Sequence, residues 1–243
     1  MLEARNLVKF YGETQVLKGV SLFVRKGEIV GLLGGNGAGK TTTFRCLIGF
    51  ERPDAGKVLL DGRDITDLKP YERARLGLSF LPQEPSVFPD LTVFENVFMF
   101  AELIHPDRER ARVRTLDLLK DFGLYHLKDR KAKYLSGGER RRLEIARLFL
   151  GKPKYLLLDE PFAGVDPKHV QELRRLIAGL GRQAELFHNI GILITDHNVG
   201  ETLKLVHRVY IIDEGTIIFE GLPEEAVRHP EVRRKFLGEE FTL

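Results

Sequence analysis

The sequence predicts an α/β fold interrupted by a helical insertion. Three observations predict it. A glycine-rich loop, GLLGGNGAGKTTT from Gly31 to Thr43, joins an apolar run to a helical pattern. Two further apolar runs, Tyr155 to Asp159 and Ile190 to Thr195, read as buried strands with an amphipathic helix between them. From Leu91 to about Lys128 the apolar period becomes helical and the strand–helix alternation stops.

In chain order, Leu2 to Lys9 reads as a strand, Tyr11-Gly12 as a turn and Val16 to Val24 as a second strand. Lys26-Gly27-Glu28 turns into the strand before the glycine loop. A helix is expected from Lys40 to Ile48, then a strand from Lys57 to Leu60, closed by Asp61-Gly62. A short helix at Tyr71 to Arg75 precedes the strand Leu78 to Leu81. Pro82, Pro85 and Pro89 mark the next segment as loop. In the helical block, Thr92 and Glu95 have capping-box spacing. Val97, Phe100, Ala101 and Ile104 are expected on one face, and Val113, Leu116, Leu119 and Phe122 on the next. Ser136 and Glu139 repeat the capping spacing before a helix to Arg147. Helices follow from Lys168 to about Leu180 and from Val199 to Leu205. A hairpin turns at Asp213-Glu214-Gly215, and Pro223 and Pro230 open the last helices.

The loop carries the chemistry. Gly34, Gly39, Lys40 and Thr41 fill the Walker A pattern in strand–loop–helix context. Glycines let successive N–H groups face a phosphate, and the helix N-terminus adds donors and positive potential. Lys40 suits the β/γ-phosphates and Thr41 suits Mg2+. A nucleoside triphosphate is therefore expected. Asp159 and Glu160 end an apolar strand, where the first can act on Mg2+ through water and the second can polarise an attacking water. Leu135-Ser136-Gly137-Gly138-Glu139 is either a structural cap or a second anion site, and the residues alone do not choose. Arg140-Arg141-Arg142 point in different directions on a helix, so a solvated face or contacts within the helical block are expected, and no direct nucleic-acid binding.

Composition narrows the classes. The chain has 243 residues, with 38 basic and 35 acidic side chains, too balanced to demand a polyanionic partner. One cysteine, Cys46, excludes an intrachain disulfide and a cysteine zinc cluster. No run approaches the length of a membrane span, and the N-terminus lacks a signal-peptide core.

Taken together, these motifs resemble the nucleotide-binding subunits of ABC transporters, for which LSGGE is the signature. The resemblance spans essentially the full length. It implies a P-loop NTPase (RecA-like) core with an N-terminal antiparallel β subdomain and an inserted α-helical subdomain. One domain over 1–243 is implied, with the core at 1–86 and 153–222, the helical subdomain at 87–152 and a helical tail at 223–243. It implies that Tyr11 stacks on adenine, and that Gly34, Asn36, Gly37, Ala38, Gly39, Lys40, Thr41 and Thr42 hold phosphates. Gln83 matches the residue sensing Mg2+ and the attacking water, and Asp159 the Walker B aspartate. Glu160 matches the catalytic glutamate, Asp166 lies in the D-loop, and His197 matches the switch histidine contacting the γ-phosphate. Ser136, Gly137, Gly138 and Glu139 would then complete the ATP site of a second copy in a head-to-tail dimer. Two transmembrane subunits and a place on the cytoplasmic face of the inner membrane are also implied.

The stretches Phe162 to Pro167, Glu139 to Arg147, Ile194 to Val199 and Phe236 to Phe241 resemble the ATPases of lipopolysaccharide export systems. Those of branched-chain amino-acid importers carry Glu before the switch histidine, whereas Asp196 stands here. Non-transport members usually fuse two ATPase units or carry a long coiled coil, and this chain has one motif set. A regulatory subunit with little turnover is disfavoured by Glu160 and His197. Val87, Phe88 and Leu91 are candidates for a groove receiving membrane subunits. Two departures stand out: Gly35 replaces the proline usual before Asn36, and Gly181 to Asn189 lengthens a link, with a helix expected through Gln183 to Phe187.

Overall fold

The computed structural model describes residues 1–182, 189–238 and 241. The strands in chain order are β1 (Leu2–Tyr11), β2 (Thr14–Val24), β3 (Ile29–Leu33), β4 (Ala55–Leu60), β5 (Arg63–Asp64), β6 (Leu78–Leu81), β7 (Tyr155–Asp159), β8 (Gly191–Thr195), β9 (Arg208–Asp213) and β10 (Thr216–Gly221). They form an antiparallel sheet ordered β2-β1-β4-β5 and a second sheet ordered β10-β9-β3-β8-β7-β6. In the second, β3, β6, β7, β8 and β9 run parallel and β10 adds an antiparallel edge.

Period-two alternation sends each central strand into two cores. Val30, Leu32, Leu157, Leu193, Tyr210 and Ile212 pack with β1, β2 and β4 and with the helix α1 (Lys40–Ile48). Their neighbours Ile29, Leu33, Leu156, Leu158, Ile192, Ile194, Val209 and Ile211 pack on the opposite face, in the core that holds the helical insertion. That insertion comprises α3 (Val93–Ile104), α4 (Arg108–Asp121) and α5 (Gly137–Leu148), after the short α2 (Pro70–Arg75). The second half of the chain adds α6 (Pro167–Arg182), α7 (Val199–Leu203) and α8 (Pro223–Arg228).

Both capping boxes form. Thr92 and Ser136 accept from the amides of Glu95 and Glu139, whose carboxylates reach back to the amides of Thr92 and Ser136. The end of α1 is held differently. Arg73, 1% exposed, donates to the carbonyls of Cys46, Leu47, Thr66 and Leu68. It satisfies the orphan acceptors of the last helical turn, and burial lowers its pKa to about 10.

Several expectations are corrected. β2 begins at Thr14 and β4 at Ala55, because ladder bonds continue past the apolar alternation, as in the Tyr11–Thr14 pair. The two-residue β5 was not expected. On α3, Ile104 is 47% exposed, and on α4, Val113 is 49% exposed. The buried line of α4 runs through Ala111, Thr115, Leu118 and Leu119. Thr115 can lie inside because its hydroxyl donates to the Ala111 carbonyl. The helix expected through Gln183 to Phe187 lies outside the described residues.

Candidate functional site

The glycine loop leaves the C-terminal end of β3 and enters α1. Gly34 has no room for a side chain: a Cβ there would lie 2.1 Å from the Ile212 carbonyl oxygen. Gly39 sits at φ 110°, a backbone region that L side chains rarely adopt. Gly35 has neither constraint, since a Cβ would meet open space. Asn36, Gly37 and Thr41 are exposed, Thr42 is half-buried and Ala38 is buried. Lys40 is 7% exposed, and its Nζ donates to the carbonyls of Gly34 (2.7 Å) and Gly35 (2.9 Å). Burial lowers its pKa, while Glu160 and Asp159 favour the charged form.

At the end of β7, Asp159 accepts from the Thr195 hydroxyl at 2.6 Å. Glu160 follows at φ 46°, a left-handed backbone for a non-glycine residue. Its carboxylate is engaged at both oxygens. His197 Nε2 lies 2.7 Å from Oε1, and Gln83 Nε2 donates to Oε2 at 2.7 Å. Burial raises the pKa of Glu160 above its ordinary value; Asp159 and Asp196 act in the same direction, His197 and Lys40 against it.

Thr41, Gln83 and Asp159 line one cleft of about 300 Å³, with Phe44, Phe50, Phe80 and Glu84. A hydroxyl, an amide and a carboxylate are the hard oxygen donors that a magnesium ion takes, so the donor set fits that ion.

The backbone around Glu160 is gripped by a residue that the charge pattern placed elsewhere. Arg141 was expected on a solvated face or within the helical block. It is 5% exposed and donates to the carbonyls of Pro82, Asp159, Glu160 and Pro161, and to Glu144. Glu144 in turn accepts from the amide and hydroxyl of Ser86. The first turns of α5 are thereby tied to the strand ends and to the loop after Gln83. The middle arginine of a charged run carries no signal of this.

The Ser136–Glu139 turn makes a separate set of close contacts, although Gly137 shares a small cleft with Gln83 and Arg141. A Cβ on Gly137 would lie 2.7 Å from the Gly164 carbonyl oxygen, and one on Gly138 2.6 Å from His169 Cβ. The turn therefore packs closely on the segment holding Asp166, whose Oδ2 lies 2.5 Å from His169 Nδ1. That hydrogen bond lowers the Asp166 pKa. Tyr11 is 42% exposed with Lys9 Nζ 5.7 Å from its ring centroid, so its ring is not committed to a core.

The ABC transporter family model matches residues 17–163. The chain belongs to the ABC transporter family. It is an ATP-binding subunit, an ATPase coupled to transport. A probable ABC transporter ATP-binding protein of Azorhizobium caulinodans is 50% identical over the whole chain, which covers 84% of that protein. The lipopolysaccharide export system ATP-binding protein LptB of Acidithiobacillus ferridurans is 47% identical, over the whole chain and 99% of that protein. Among solved structures, an ATP-binding cassette in its ADP conformation superposes with TM-score 0.84 at 30% identity, covering 98% of this chain and 99% of the other. A dimeric bacterial ABC transporter cassette gives 0.78 at 26% identity, covering 92% and 99%. No described helix is long and apolar enough to cross a membrane.

Proposed function

We propose that this ATPase energises lipopolysaccharide export, acting as a head-to-tail pair beneath two transmembrane subunits on the cytoplasmic face of the inner membrane. The observation that carries the choice of cargo is the 47% identity with LptB over 99% of its length. Asp196 before His197 supports it over amino-acid import.

In this reading the amides from Gly34 to Thr42 and Lys40 hold the β- and γ-phosphates, while Tyr11 stacks on the base. Lys40 exchanges its carbonyl partners for phosphate oxygens, which suits a cation desolvated by its loop. Thr41, Gln83 and Asp159 would hold Mg2+, which would neutralise charge on the phosphates. Glu160 orients water for in-line attack, with His197 at the γ-phosphate and Gln83 linking the carboxylate to the loop toward the helical block. Ser136 to Glu139, with Asp166 nearby, serve the partner copy's ATP. ATP then closes the pair, and hydrolysis lets it open. We divide the single domain 1–243 into a core (1–86 and 153–222), a helical subdomain (87–152) and a tail (223–243). Phe88, 42% exposed with its ring centroid 6.4 Å from that of Phe100, is the proposed contact for the membrane subunits beside Val87 and Leu91.

The test is reconstitution with the transmembrane subunits of a lipopolysaccharide export system from the same source, in liposomes carrying lipopolysaccharide. ATP-dependent removal of lipopolysaccharide to an external acceptor is expected. ATP-dependent amino-acid uptake instead would overturn the cargo.

A further inference from the structure

The turns bearing Glu160 and His197 come from the ends of different strands, β7 and β8, yet one side chain holds both. Asp196 is 6% exposed. Its Oδ2 accepts from the Phe162 amide at 3.1 Å and its Oδ1 from the Asn198 amide at 2.8 Å. The second bond closes a local turn of the kind that aspartate makes with the amide two residues on, around His197. The first reaches across to the turn after Glu160.

The Glu160 turn needs such support. Its φ of 46° costs energy in a non-glycine residue and persists only where surrounding contacts over-determine it. Arg141 holds the carbonyls of Asp159, Glu160 and Pro161, and the Thr195 carbonyl accepts from the Glu160 amide. Asp196 adds a hold at the Phe162 amide, and its other carboxylate oxygen binds the histidine turn. Beyond the direct β7–β8 pairing, a chain from Asn198 through Asp196 to Phe162 thus links the two turns across which His197 Nε2 and Glu160 Oε1 meet at 2.7 Å.

We infer that Asp196 is a positioning residue that locks the histidine turn to the glutamate turn, so that His197 and Glu160 act on ATP as one unit. This rests on the roles proposed above for those two residues. Asparagine at this position has one acceptor oxygen and so loses one of the two bonds. Serine can keep the local turn at Asn198 but is too short to span to Phe162 as well.

The experiment is steady-state ATPase kinetics of the full chain as Asp196→Asn and Asp196→Ser, alongside Glu160→Gln and His197→Ala, with thermal melts. Both Asp196 variants are expected to lower kcat about 10-fold or more while KM for ATP stays within about twofold, because the phosphate loop makes no bond to Asp196. Adding Asp196→Asn to His197→Ala is expected to cost less than about twofold further, since the coupling is already lost. Wild-type kcat in either Asp196 variant would overturn the inference. So would a full additional loss on the His197→Ala background, or a parallel collapse of kcat, ATP binding and melting temperature in both variants. If Glu160→Gln and His197→Ala themselves keep normal turnover, it is the underlying site assignment that has failed.

Discussion

His197 Nε2 lies 2.7 Å from Glu160 Oε1, while the other oxygen of the same carboxylate is held by Gln83. One carboxylate therefore reports to two loops, one leading to the helical insertion and one following β8. Replacing His197 by alanine frees one oxygen without touching the phosphate loop. Turnover of His197→Ala is expected to fall by about 10² or more, with KM for ATP nearly unchanged, in a steady-state assay. A rise in KM with kcat intact would assign His197 to ground-state binding alone.

Gly34 and Gly35 stand side by side but differ in kind. A methyl on Gly34 collides with the Ile212 carbonyl, whereas one on Gly35 meets nothing. Gly34→Ala is expected to weaken ATP binding by about 10-fold or more, since the backbone must move where phosphate is cradled. Gly35→Ala is expected to leave affinity within about twofold and to stabilise the fold by about 0.4–1 kcal/mol, through the unfolded chain. Isothermal titration with ATP and chemical denaturation check the pair.

Arg141 and Glu144 form an ion pair with side chains 6% and 2% exposed. Removing the arginine leaves a buried carboxylate and frees four carbonyls, the costly way to break such a pair. Arg141→Ala is expected to lose about 3–5 kcal/mol in urea unfolding. Unchanged stability would mean that the strand ends hold themselves.

How legible these residues were in the sequence follows from their physics. The helix Lys40–Ile48 and the strands Leu78–Leu81 and Tyr155–Asp159 were read to their observed ends, because loop chemistry and short apolar runs bound them sharply. Lys40, Asp159 and Glu160 were named from motif spacing, and Gln83 and His197 from the resemblance to ABC transporter subunits, although their mutual contacts are tertiary. The buried face of α4 was read correctly at Leu119 and Phe122 but misread at its start, because small Ala111 and Thr115 line it while apolar Val113 faces out. Arg141 and Asp196 were hidden for a related reason: charge reads as solvated, and only the fold supplies the backbone partners that bury it.

Asp61 joins the two sheets. Burial pulls its pKa up, but hydrogen bonds from the chain's N-terminal ammonium and Tyr155 Oη outweigh that and hold it at about 2. The folded value lies below the ordinary 3.8, so its stabilisation is present above about pH 4 and is lost as pH falls toward 2. Asp61→Asn is expected to flatten the decline of unfolding free energy over that window. The effect is small, because the side chain is 35% exposed and water screens it. An unchanged slope would show that Asp61 titrates alike in both states.

The central claim is that Glu160 performs hydrolysis at a site that two copies close around ATP. The most direct measurement is the mass of Glu160→Gln in solution with ATP and magnesium, taken together with its phosphate release. A dimer that appears only with ATP, with turnover reduced by at least about 10², is the expected result. Normal phosphate release, or a species that stays monomeric with ATP bound, would contradict it.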